Sequence, residues 1–83
     1  MDKELSTAVL DAVNAVFAKM QRSDLKAESI SRPSGDYIVA VKGAEEELSL
    51  SREIVDDYVQ NGNARLEWES RLRNFALRNR PKP

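Results

Sequence analysis

The spacing of apolar residues changes twice along the chain, and this change restricts the fold more than any other feature of the sequence. Near the N-terminus apolar residues recur three or four positions apart, the centre holds a short β-branched run, and the C-terminal part returns to helical spacing. Helices have a period of about 3.6 residues and strands a period of about two. The order predicts an α+β fold: an N-terminal helix, a two- or three-stranded antiparallel meander, and two C-terminal helices packed on one face of the sheet.

The first helix is predicted from Lys3 to about Arg22. Its apolar stripe consists of side chains that share one helical face: Leu5, Val9, Val13, Val16, Phe17 and Met20. We expect the helix to stop at Ser23–Asp24, because short polar side chains compete there for backbone hydrogen bonds.

The central segment predicts a hairpin. Lys26 to Arg32 and the run Tyr37–Val41 have the residue types of strands, and the segment between them contains Pro33 and Gly35, which favour a turn. Residues 44–50 allow two interpretations, an edge strand with two leucines on one side or the start of a helix that Ala and Glu would favour. We favour the strand.

Two further helices complete the predicted domain. One runs from Arg52 to Gln60, capped by Ser49 or Ser51, and the last from Ala64 to about Asn79. We expect residues 1–80 to form one small domain and residues 81–83 a disordered tail, and the sequence leaves open whether that tail orders on binding.

On the last helix, a rotation of about 100° per residue separates two apolar groups. One group shares a face that suits the core: Trp68, Leu72, Phe75 and Ala76. Leu66 and Leu77 lie about 140° or more away from Trp68 and Phe75.

The 83 residues include neither cysteine nor histidine. Disulfides, thiolate or ordinary zinc sites and nucleophile systems that use Cys or His are therefore excluded. The acidic runs Glu45–Glu47 and Asp56–Asp57 lack the spacing of a calcium loop, and no glycine-rich phosphate motif occurs. We expect a protein that is not an enzyme and that binds no cofactor and no metal.

The chain begins Met1-Asp2-Lys3-Glu4, without the basic start and continuous apolar run of a signal peptide, and its apolar runs are too short for a membrane span. We expect a cytoplasmic protein of bacterial type with no membrane partner.

The charges are unevenly distributed although the net charge is only −1. Residues 65–83 carry six basic and two acidic residues, whereas residues 1–64 carry seven basic and twelve acidic ones. One interpretation is nucleic-acid binding through the arginines of the last helix, namely Arg65, Arg71, Arg73, Arg78 and Arg80. Against it stand the acidic residues at the start of that helix and a pI near 5.4. The plainer interpretation is that the arginines pair with acids of the same domain.

Our main prediction is a protein-interaction surface formed by Leu66 and Leu77 and flanked by Arg73 and Arg80, since a left-over apolar patch beside Arg has the composition of a partner surface, where aromatic and Arg residues are common anchors. The partner is another protein or a second copy of the chain. A contact between copies would set the region from Arg71 to Arg80 against Glu45–Glu47 of a neighbour. The alternative is that the helix is buried on two sides or that two isolated exposed leucines have no function.

Overall fold

The protein is described here from a computed structural model, which describes residues 3–31 and 35–79. The predicted tail and Arg80 lie outside the described residues. The elements follow in the order α1 (Lys3–Lys19), β1 (Lys26–Ser31), β2 (Tyr37–Lys42), β3 (Leu48–Leu50), α2 (Arg52–Val55), a π-helical turn (Asp56–Gln60) and α3 (Arg65–Arg78). The predicted α+β class and element order are confirmed.

Helix α1 buries the predicted stripe but ends earlier than expected. Val9, Val13 and Phe17 are almost fully buried. The helix closes with Gln21 in the left-handed region at φ 60°, and the amide of Arg22 donates to the carbonyl of Phe17 at 2.9 Å. This is the helix-ending motif that usually has glycine at the left-handed position, so the predicted stop at Ser23–Asp24 is wrong by a few residues.

The sheet is an antiparallel meander in the order β1-β2-β3. The register pairs Val39 with Ile30 on one side and with Leu48 on the other. The strand interpretation of residues 44–50 is therefore confirmed, although β3 is only three residues long. One face of the sheet enters the core through its buried side chains: Ala27, Tyr37, Val39, Val41, Leu48 and Leu50.

The segment after β3 differs from the single helix predicted from Arg52 to Gln60. The side chain of Ser51 accepts a hydrogen bond from the amide of Ile54 and begins α2, but only four residues are α-helical before the chain widens into the π-helical turn. Within that turn Tyr58 stacks on Trp68 with ring centroids 5.0 Å apart. This tertiary contact joins the turn to α3, and periodicity alone does not show it.

Helix α3 buries its predicted face, and Trp68, Leu72, Phe75 and Ala76 are all at most 1% exposed. The helix begins at Arg65, because Ala64, predicted as its first residue, has a left-handed φ of 58°. Residues of both long helices, all three strands and α2 form one buried cluster. The helices therefore cover one face of the sheet and leave the far side of α3 toward solvent.

Candidate protein-interaction surface

The side of α3 that points away from the core carries the two large apolar side chains that are most exposed in the described part of the chain. Leu66 is 82% exposed and Leu77 is 55% exposed. Exposed Ser70 and Arg73 lie between them. At about 100° per residue the four positions fall within an arc of about 60°, and at 1.5 Å per residue they span about 16 Å. We call these four residues the outer face of α3.

Three predicted arginines of α3 are paired with acids of the same chain. Arg65 contacts Glu69 at 3.4 Å and Arg71 contacts Glu67 at 3.1 Å, both one helical turn apart. Arg78 reaches Glu46 in the loop before β3, with its Nε 2.9 Å from the carboxylate. These pairs use positive charge that contacts with a phosphate backbone would need. They also occupy Glu46, one of the carboxylates that we expected to face the region of Arg78 in a neighbouring copy.

Arg73 differs from these three. Within residues 3–31 and 35–79 its side chain has no hydrogen bond or ion pair, and it is exposed. Arg80, the other predicted flanking arginine, lies outside the described residues. Arg73 is therefore the described cation of the predicted surface that is available to a partner.

The C-terminal end of α3 is fastened by Arg22. The guanidinium binds both carboxylate oxygens of Asp24 and donates to the carbonyl oxygens of Ala76 and Asn79. A cation at this end of a helix satisfies carbonyls without helical partners and interacts favourably with the macrodipole. The hydrogen bonds between the two side chains lower the pKa of Asp24 and raise the pKa of Arg22.

Asn79 joins the same end of α3 to the loop before β3. Its side-chain amide donates to the carbonyl of Phe75 and to the carboxylate of Glu46, and its side-chain oxygen accepts from the amide of Glu45. Hydrogen bonds from Arg78 and then from Asn79 lower the pKa of Glu46. The C-terminal end of the helix that bears this outer face is thus bound by Arg22 and, through Asn79, by the loop before β3.

A groove lies beside the first turns of α3, between α1 and the π-helical turn, with a volume of about 570 Å³. Its walls are mainly small and apolar side chains, including Ala8, Ala12, Ala15 and Val59. At its edge Glu69 is bound by Lys19 at 3.0 Å and by Arg65. The hydrogen bond from Lys19 is the main cause of the lowered pKa of Glu69, so this carboxylate is a structural anion at neutral pH.

The side of α1 that points away from the core is a second narrow stripe. At about 100° per residue, six positions share an arc of about 100°: Glu4, Thr7, Ala8, Asp11, Ala15 and Ala18. All six are exposed. Within the described ranges Asp11 has no hydrogen bond or ion pair. We call these six residues the α1 stripe.

The sequence analysis did not single out the α1 stripe, Arg22 or Asn79. The stripe has a visible signal, since small and acidic residues recur at helical spacing opposite the apolar stripe. The contacts of Arg22 with α3 have no such signal, because they join residues 54 and 57 positions apart.

Two features are absent from the described part of the chain. No group of three or more acidic side chains there is arranged to hold a metal ion. None of the helices in residues 3–31 and 35–79 combines the length and the apolarity that crossing a bilayer requires.

Comparisons with known proteins do not indicate a function for this chain. The chain has no significant match to a family model, to a curated protein or to a solved structure.

Proposed function

We propose that this protein is a non-enzymatic interaction module that binds another protein through the outer face of α3. The observation that carries the proposal is the exposure of Leu66 and Leu77 on one side of a helix whose opposite side is almost fully buried. Burying a leucine side chain completely stabilises a complex by about 1.5–3 kcal/mol. Because Leu66 is 82% exposed and Leu77 is 55% exposed, covering the exposed part of both offers about 2–4 kcal/mol, which is enough to serve as the apolar centre of a modest interface.

Arg73 supports the proposal because it lies between the two leucines. An Arg with an apolar surround is a common anchor at protein interfaces. Its charge has no partner in the described part of the chain, so a partner that places a carboxylate opposite this position gains an interaction without breaking one inside the protein. The surface thus favours a partner with small or apolar residues around an acidic side chain.

The tertiary contacts that hold α3 in place also favour binding. Arg22 and Asn79 hold its C-terminal end, and Lys19 reaches Glu69 from α1. A surface that is ordered before binding loses little conformational entropy when the partner docks.

Nucleic-acid binding is the second hypothesis of the sequence analysis, and the geometry favours it less. Arg65, Arg71 and Arg78 are paired with acids, and at about 100° per residue the arginines of α3 lie on several sides of the helix instead of one. Titration of duplex DNA at low salt tests it. Salt-sensitive binding that is lost when Arg71 and Arg78 become Glu would favour nucleic acid over protein.

We also propose a cytoplasmic location in a bacterial cell, on the ground of the cysteine-free composition, which is unusual for a small secreted domain. Cell fractionation with an epitope-labelled full chain tests this directly. Recovery in the membrane or extracellular fraction would contradict it.

The main test is site-specific photo-crosslinking in the cells that produce the protein. A photoreactive residue at position 77 should give a discrete adduct, and the same residue at Ser49, on the open face of the sheet, should not. Leu66→Asp should abolish the adduct from position 77, whereas Glu28→Lys, an exposed change on β1, should leave it intact. An adduct that survives Leu66→Asp, or that forms equally from position 49, contradicts the proposal.

A further inference from the structure

We infer that the outer face of α3 binds a second copy of this chain, whose α1 stripe packs antiparallel against it with Arg73 facing Asp11 of the neighbouring copy. The inference rests on the proposed use of the outer face of α3 and adds the identity of the partner. Arg73 and Asp11 are both exposed and have no ion pair within the described ranges. Within those ranges each is an unpaired charge, and its sign is the one that the other surface lacks.

The spacing of the two surfaces agrees with this pairing. When the helices run antiparallel with Arg73 level with Asp11, counting seven residues back along α3 and seven forward along α1 brings Leu66 level with Ala18. Counting four residues the other way brings Leu77 level with Thr7, next to Ala8. Both leucines then meet small side chains, which let helix axes approach to about 8 Å. The charged pair lies between the two apolar contacts.

The parallel arrangement is less favourable. With Arg73 again level with Asp11, it places Leu66 against Glu4. Burying part of a carboxylate beside a leucine removes water from the charge without providing an opposite charge. The antiparallel direction is therefore the one in which apolar and charged groups each meet their complements.

The obvious symmetric alternative, α3 against α3, is disfavoured by charge. If an antiparallel two-fold contact sets Leu66 level with Leu77 of the other copy, the two Arg73 side chains lie on the same side, about 4.5 Å apart along the helix axis. Like charges placed opposite each other across an interface oppose binding. Pairing α3 with α1 replaces this repulsion with an attraction.

This contact joins different surfaces of the two copies and leaves one free surface of each kind. Such a contact extends to further copies unless the rotation closes a ring. Because α3 is only 14 residues long, a contact between single helices buries less surface than the roughly 1,200–2,000 Å² that is typical of stable complexes. Association should therefore be weak and increase with concentration.

The first test uses sedimentation equilibrium of the full chain over about 10 µM to about 1 mM. The wild-type weight-average mass should rise above the monomer mass of 9.4 kDa. Two variants block one surface each: Leu66→Asp with Leu77→Gln blocks α3, and Asp11→Arg blocks the α1 stripe. Each variant alone should stay monomeric, and an equimolar mixture should form a 1:1 complex, because the mixture retains one intact surface of each kind.

The second test is a charge exchange. Arg73→Glu and Asp11→Arg should each weaken association about tenfold or more, and the double variant should regain most of the loss. Glu28→Lys serves as a control for a change of net charge alone, and far-UV circular dichroism verifies that every variant is folded. Raising the salt concentration should weaken wild-type association, since exposed ion pairs are screened.

The results separate the inference from the proposed function. A wild-type chain that is monomeric at all concentrations overturns the inference, while the crosslinking from position 77 still decides whether α3 binds a different protein. A mixture of the two blocked variants that stays monomeric overturns the pairing of α3 with α1. Association that persists in the variant blocked at Leu66 and Leu77 overturns the inference, because α3 is then not the surface that joins the copies.

Discussion

Gly43, which follows β2, gives the sharpest stability prediction. It has a φ of +94°, and a Cβ built on it would overlap the carbonyl oxygen of Asp24 and lie 3.1 Å from the carbonyl carbon. The obstacle is backbone and not the end of a flexible side chain. Gly43→Ala must therefore move either the end of β2 or the turn that holds Arg22 and Asp24.

The magnitude has two parts. A left-handed backbone costs an L-residue with a Cβ about 1–2 kcal/mol, and forcing a new group into a packed site costs about 1–3 kcal/mol more. Gly43→Ala should therefore lower the free energy of unfolding by about 2–5 kcal/mol. Domains of this size have about 4–12 kcal/mol in total, so the loss is large and can unfold the chain on mild heating.

Gly62 is the matched control. Its φ is +71°, but a Cβ there meets no atom within 4 Å. Gly62→Ala should cost only the backbone part, about 1–2 kcal/mol.

Urea unfolding followed by the fluorescence of Trp68, the single tryptophan, measures both variants. If Gly43→Ala is no more destabilising than Gly62→Ala, the close approach of Gly43 to the Asp24 backbone is wrong.

Three further predictions concern a helix end and polar contacts. Gln21→Gly should raise the free energy of unfolding by about 0.5–1 kcal/mol, because glycine adopts the left-handed helix end without strain; an unchanged or lowered urea midpoint would speak against it. The Asn14 side chain exchanges two hydrogen bonds with the backbone of Ala27, so Asn14→Leu should lower the free energy of unfolding by about 2–3 kcal/mol, and a near-neutral effect would contradict this edge contact. The pKa values of Asp24, Glu46 and Glu69 are lowered from 3.8, 4.5 and 4.5, so their stabilisation is complete above those values and is lost as the pH falls through the lower folded-state values. The melting temperature should therefore fall as the pH drops below about 4.5. A variant in which all three acids are replaced by their amides should show a smaller fall of the melting temperature. If the variant and the wild type fall equally, these ion pairs are not the cause.

The regular parts of the fold are predictable from the sequence because several residues repeat the same information. Val9, Val13 and Val16 all indicate one helical face, and the buried face of α3 follows in the same way. The exposure of Leu66 and Leu77 follows from the same angular argument, since a helix that buries Trp68 and Phe75 must turn them outward.

The element ends and the polar contacts are less predictable because they depend on single residues or distant partners. The left-handed Gln21 gives no glycine signal, and the π-helical turn is tied to the stack of Tyr58 on Trp68. Among the ion pairs of α3, Arg65–Glu69 and Glu67–Arg71 are visible as four-residue spacings. The pair of Arg78 with Glu46 spans 32 positions and has no such spacing in the sequence.

The most direct test of the interaction surface is a dilution series of the ¹⁵N-labelled full chain, recorded by NMR from about 1 mM to about 50 µM. We expect the amide signals around Leu66, Arg73 and Leu77 to shift together with those around Asp11 and Ala18, and to follow one binding isotherm. Signals that do not move, or that move only on the open face of the sheet around Ile38 and Ser49, would contradict the docking of α3 on the α1 stripe.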